Sequence, residues 1–197
     1  MSSHVLLYWP NIVGYIRISL LFAAWGFHDT PSVFVPLYSA NILLDWVDGW
    51  LARRLKQVSN FGAWLDVVVD NLSRGMLWSL VSQCGWLVSA VEWCVFVCNH
   101  CSKGDDWKNS FSHSPKLVQA IMANGFRTPL GLLVVSGLDV LPLWLYCSQR
   151  GLLAPSLWAQ DGVTALLIAG RALALVAEAW CVWTHMKFLT KDEPKES

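Results

Sequence analysis

Asp45-Trp46-Val47-Asp48-Gly49-Trp50-Leu51-Ala52-Arg53 is followed nine residues later by Gly62-Ala63-Trp64-Leu65-Asp66-Val67-Val68-Val69-Asp70. The two stretches set four carboxylates in otherwise apolar sequence. An ionisable side chain at membrane depth is costly and as a rule lines a functional cavity. Acids held side by side repel by roughly 4 kcal/mol per adjacent pair at an effective dielectric of about 20. A bound cation resolves both problems.

The spacing supports that reading. Asp45, Asp48, Gly49 and Ala52 fall at i, i+3, i+4 and i+7 and share one helical face, while Gly62, Asp66 and Asp70 share another. A polar turn from Lys56 to Asn60 would set the two helices antiparallel, so that their acidic faces converge on one hard divalent cation held by oxygen ligands. Gly49 and Ala52 leave room for a phosphate-bearing substrate to approach the backbone, and Arg53 offers it a permanently charged fork.

Composition extends the argument to the whole chain. Of 197 residues, 55% are hydrophobic and only 14% charged, and a mean hydropathy of +0.43 exceeds that of an ordinary soluble domain. The expected fold is an all-α integral membrane bundle of about six transmembrane helices, near 7–28, 33–54, 62–84, 86–101, 128–147 and 162–186. Residues 1–186 form one membrane domain, and 187–197 a polar, disordered tail. Arg53, Arg54, Lys56, Lys103, Lys108, Lys116, Lys187, Lys191 and Lys195 all follow even-numbered spans, whereas the opposite loops hold almost only Arg150. By the positive-inside tendency both termini and the acidic cluster face the cytosol. The 13 tryptophans, Trp78, Trp86, Trp93, Trp144, Trp158, Trp180 and Trp183 among them, read as interfacial or packing residues. The opening stretch reads as a retained helix, without the features of a removed signal.

The acidic pattern resembles the signature of the CDP-alcohol phosphotransferase family, D-x2-D-G-x2-A-R-x8-G-x3-D-x3-D, and meets it at every fixed position. Eight specified residues at about one in twenty each make an accidental match rare, on the order of 10⁻¹⁰ per start site. Further upstream, Pro10-Asn11-Ile12-Val13-Gly14-Tyr15-Ile16-Arg17 resembles the start of the first helix in eukaryotic phosphatidylinositol synthases. More loosely, His113-Ser114-Pro115 and Phe126-Arg127-Thr128-Pro129 resemble later parts of the same enzymes.

The resemblance implies transfer of a phosphatidyl group from CDP-diacylglycerol to myo-inositol with release of CMP, supported by Mg²⁺ or Mn²⁺. It implies metal ligation by Asp45, Asp48, Asp66 and Asp70, with Asp70 as general base. Gly49, Arg53 and Gly62 would hold the nucleotide, and Asn11 and Arg127 join the substrate-binding set, Arg127 and Lys108 on the acceptor side. It also implies the endoplasmic reticulum, a homodimer, lipid as a partner, and no nucleic acid. Two alternatives stand beside it: another acceptor such as glycerol 3-phosphate, or a catalytically silent membrane scaffold.

Other polar residues are ambiguous. Arg17 needs either one of the acids across the bundle or a phosphate. The family often has a basic residue after the last Asp, where this chain has Asn71, and Arg74 at i+4 from Asp70 is the expected substitute. Glu92, Asp139, Arg171 and Glu178 are expected to pair within the bundle. Cys94, Cys98 and Cys101 beside His100 suggest zinc less than small apolar residues on a packed face. His100 and His113 flank a polar loop, where solvation is the simpler reading.

Overall fold

Pro10, Pro31 and Pro129 each stand in the first turn of a helix, where the absent N–H would have had no intrahelical partner. Hydroxyls complete two of the starts. Ser59 accepts a hydrogen bond from the Gly62 amide and Thr128 from the Gly131 amide, both at 3.0 Å, so each satisfies an otherwise orphaned N–H. The chain folds from these points into helices joined by turns, and the computed structural model describes residues 3–103, 114–153 and 157–190.

A 3-10 turn, Ser3–Leu7, precedes α1, Trp9–Gly26. Then follow α2, Pro31–Arg54, α3, Asn60–Val81, and α4, Gly85–Lys103. A short α5, Lys116–Met122, leads to α6, Pro129–Gln149, and α7, Leu157–Leu189. Among the described residues there are seven helices and no strand. Each of the six expected segments holds a helix. The opening 3-10 turn and α5 were not anticipated, being too short to show a helical period. Lys108, His113 and the tail beyond residue 190 lie outside the described residues, as do the side chains of His100, Cys101, Lys103 and Trp158.

Polar side chains are buried beside an apolar core, and large apolar side chains also face outward. Arg17, Asn41, Asp48, Asn71, Ser73, Glu92 and Glu178 are buried, whereas Trp46, Phe22, Leu43 and Trp86 point outward and are 62–78% exposed. Such a surface suits a lipid surrounding, where polar groups must find partners inside the bundle. Among the described residues two helices, Pro129–Gln149 and Ala159–Leu189, are long and apolar enough to cross a membrane, each holding an 18-residue stretch of mean hydropathy 1.8. Trp86 and Trp183 face outward, but Trp78 is a core residue packed with Leu141 and Leu167.

α1 packs along α2 and also against α3. A Cβ on Gly14 would come within 2.8 Å of Leu65, so this glycine sets the close approach of α1 to α3. At one end the Trp9 amide donates to Gln57 in the α2–α3 turn at 3.0 Å. At the other end Tyr146 donates to the His28 carbonyl at 2.7 Å, Gln149 donates to the Val81 carbonyl at 3.0 Å, and Arg150 pairs with Asp29 at 3.3 Å. The basic residues Arg53 and Arg54 thus lie at the end opposite Arg150, in line with the alternation of the loops.

One turn of α6, Ser136–Val140, is a π-helix. Pro142, two residues beyond it, supplies no N–H and its ring would crowd the preceding turn, and the wider turn accommodates it. Gly137 of this turn and Gly170 of α7 face each other, and a Cβ on either would run into the other helix's backbone. Small residues allow this close crossing.

Candidate active site

The helices bring the four expected acids together, but around a residue from α1. Arg17 is 1% exposed, and its Nη1 lies 2.9 Å from Asp45, 2.8 Å from Asp48 and 3.0 Å from Asp66. Its Nη2 lies 2.5 Å from Asp70. Of the two partners open to Arg17 from sequence, the structure selects the acids, and all four at once. The reason is the position of α1, which faces α2 and α3 together. A planar guanidinium can serve several carboxylates because its donors fan out in a fixed fork.

Asp45, Asp48 and Asp66 each offer an oxygen within 4.8 Å of the others. This all-oxygen, acidic donor set fits a hard divalent cation of the Mg²⁺ or Mn²⁺ type. Among the described residues no Cys or His joins a comparable group, and on α4 Cys98 is buried while Cys94 is exposed. Asp70 is set apart from the three by its second neighbour, since its other oxygen lies 3.9 Å from Arg74.

Arg74 has closer partners than Asp70. Its Nε donates to Glu92 at 2.7 Å, its Nη1 to Asp139 at 3.0 Å and its Nη2 to Asn71 at 2.7 Å. Arg171 continues the chain of pairs, 3.7 Å from Glu92 and 3.0 Å from Glu178. Glu92, Asp139, Arg171 and Glu178 therefore do pair within the bundle, as one network that reaches Asp70. The π turn carries Asp139 and so belongs to this arrangement.

The remaining expected residues divide. The Arg53 guanidinium is exposed and lies near Gly49, with its Nη1 3.5 Å from where a Cβ would stand. Gly62 is different: its amide is bound to Ser59, and a Cβ there would stand 2.8 Å from the Asn11 side chain. Asn11 itself is buried and donates to the Val5 carbonyl at 2.6 Å, tying the 3-10 turn to α1. Arg127 is exposed in the turn before α6, and among the described residues no ion pair links it to the acids.

Sequence reasoning missed Tyr38, Asn41 and Ser73, which line a cavity beside Asp45 and Asp70. A signal existed. Asn41 stands at i−4 from Asp45 and Ser73 at i+3 from Asp70, one turn further along the same two faces.

Residues 7–103, which carry Arg17 and all four acids, match the profile of the CDP-alcohol phosphatidyltransferase family. This segment is a CDP-alcohol phosphatidyltransferase domain. The domain is similar to CDP-diacylglycerol--inositol 3-phosphatidyltransferases: 42% identical to that of Saccharomyces cerevisiae over 98 residues, 48% of this chain and 41% of the relative. It is 48% identical to the first such enzyme of Arabidopsis thaliana over 81 residues, 40% of this chain and 35% of the relative. It is also 38% identical to the CDP-diacylglycerol--glycerol-3-phosphate 3-phosphatidyltransferase of Pectobacterium atrosepticum over 80 residues, 38% of this chain and 43% of the relative. The matches thus span less than half the length of each of these relatives. No solved structure gives a significant match.

Proposed function

We propose that the protein transfers the phosphatidyl group of CDP-diacylglycerol to myo-inositol and releases CMP. The observation that carries this reading is the convergence of Asp45, Asp48, Asp66 and Asp70 within the family domain. The inositol acceptor is supported by the likeness to the Saccharomyces and Arabidopsis inositol 3-phosphatidyltransferases.

In this reading Asp70 accepts the proton of the attacking hydroxyl. The hydroxyl oxygen forms a bond to the β-phosphorus, and the bond from that phosphorus to the bridging oxygen breaks, so that CMP leaves with the electron pair. Asp45, Asp48 and Asp66, with Asp70, would hold a divalent cation, Mg²⁺ or Mn²⁺, which when bound neutralises the diphosphate and polarises phosphorus. Arg53, whose guanidinium lies beside Gly49, steers the phosphates. Arg17 balances the acids and holds them in register, and Arg74 orients Asp70. Gly62 and Asn11 act by fixing the start of α3 against α1, and Arg127 serves the acceptor side.

The protein is read as an integral membrane enzyme of the endoplasmic reticulum, with six spans, both termini in the cytosol, a polar tail from residue 187, and a homodimeric assembly. Purified protein in lipid nanodiscs, given CDP-diacylglycerol and a panel of alcohols, should release CMP with myo-inositol. Release should stop in excess chelator and return with Mn²⁺ or Mg²⁺. Turnover with glycerol 3-phosphate alone would replace the inositol reading with the second one, which the Pectobacterium relative supports.

A further inference from the structure

A cavity of about 20 Å³ adjoins the carboxylate cluster, walled by Tyr38, Asn41, Ser73 and Asp139 together with Asp45 and Asp70. Such a space takes one water-sized group and excludes a sugar ring. Its walls offer oxygen and nitrogen in quantity. Asn41 is 1% exposed, and its Nδ2 donates to Ser73 at 3.0 Å, yet its Oδ1 accepts a hydrogen bond from no group among the described residues. A buried acceptor left in that state calls for a donor.

Charge and hydrogen-bond chemistry select the donor. Arg17 also lines the cavity; its two terminal nitrogens and the Nη1 of Arg74 face carboxylates, while among the described residues the buried Nε of Arg17 has no hydrogen-bond partner. An anionic group inside the cavity would lie directly against Asp45, Asp70 and Asp139 and be repelled. An ammonium can only donate, whereas a hydroxyl donates and accepts and so matches a wall of amide, hydroxyl and carboxylate.

We propose that this cavity is a hydroxyl subsite: it takes a second hydroxyl of the acceptor alcohol, next to the one that Asp70 deprotonates. Asn41 thereby determines specificity for a polyol acceptor, its Oδ1 accepting a hydrogen bond from that second hydroxyl. The inference rests on the transferase reading above and deepens it.

The test uses full-length protein in nanodiscs with CDP-diacylglycerol, labelled myo-inositol and the set of monodeoxy-inositols, scored both by equilibrium binding and by CMP release. Asn41→Ala should weaken inositol binding about tenfold, the scale of one hydrogen bond to a buried group, and leave the KM for CDP-diacylglycerol unchanged. One monodeoxy-inositol should bind wild type about tenfold more weakly and Asn41→Ala no more weakly than inositol does, because the same bond cannot be lost twice. Asn41→Gln, which keeps the amide, should recover part of the loss. Additive losses for every deoxy analogue, or no inositol binding by wild type, would overturn the subsite. Asn41-dependent inositol binding without CMP release would uphold the subsite and remove the transferase reading.

Discussion

Arg17 carries one positive charge against four carboxylates, so its removal should be felt first as instability. Breaking a buried ion pair by deleting one partner costs about 3–5 kcal/mol. Arg17→Ala should therefore melt earlier than wild type in chelator, and Mn²⁺ should restore more stability to the variant than to wild type, because a dication can serve the same acids. A thermal melt of both proteins with and without Mn²⁺ reads this directly, and an equal metal response in the two would contradict it. The acids themselves should separate by role. Asp48→Asn should weaken metal and nucleotide binding together. Asp70→Asn should keep more CDP-diacylglycerol binding while losing about 10²–10⁴-fold in turnover, the scale of general-base removal. If both variants lose binding alike, Asp70 acts mainly as a ligand.

At the scale of elements, the site depends on how α6 crosses α7. Gly137 lies against the α7 backbone near Arg171, and the π turn that contains it also presents Asp139 to Arg74. A larger side chain at Gly137 must push the helices apart, and overpacking of this kind costs typically about 1–3 kcal/mol. Gly137→Val should lower the melting temperature and also slow CMP release, since Asp139 moves with its turn. A mutant that melts early but turns over at the wild-type rate below its transition would show that the π turn is structural only. Gly162, where nothing lies within 4 Å of an added Cβ, supplies the control: Gly162→Ala should leave both measurements near wild type.

Across the whole molecule, the network from Asp70 through Arg74, Glu92, Arg171 and Glu178 joins the family domain to α7, which lies beyond the matched residues. Coupling should follow the contacts. Arg74→Ala and Glu92→Gln should each slow turnover, and the double variant should lose less than the sum of the two, because residues that share a network are not additive. A strictly additive double variant would mean that the two act through separate routes. Topology is testable at the same scale. A cysteine placed at Lys56 should be labelled from the cytosolic side by an impermeant reagent, and one placed at Gly151 from the opposite side. Labelling with the two sides exchanged would reverse the positive-inside assignment, and labelling of both from one side would overturn the placement of these turns at opposite ends.

The sequence alone determined the helical character of the described residues, the positions of the six long helical segments and which acids would converge, because periodicity, apolar runs and a fixed motif are local properties. It also pointed to the pairing of Glu92, Asp139, Arg171 and Glu178, since lone intramembrane charges need partners, but not to which pairs form. The tertiary structure decided the rest. Only the packing of α1 against α2 and α3 makes Arg17 the centre of the acidic cluster. Only contact with Glu92 and Asp139 shows that Arg74 serves more than its neighbour at i−4. The cavity by Asn41 and the approach of Gly137 to α7 likewise depend on residues distant in the chain. Helix-face periodicity tells which residues share a side, but the partner of that side is set by packing between elements.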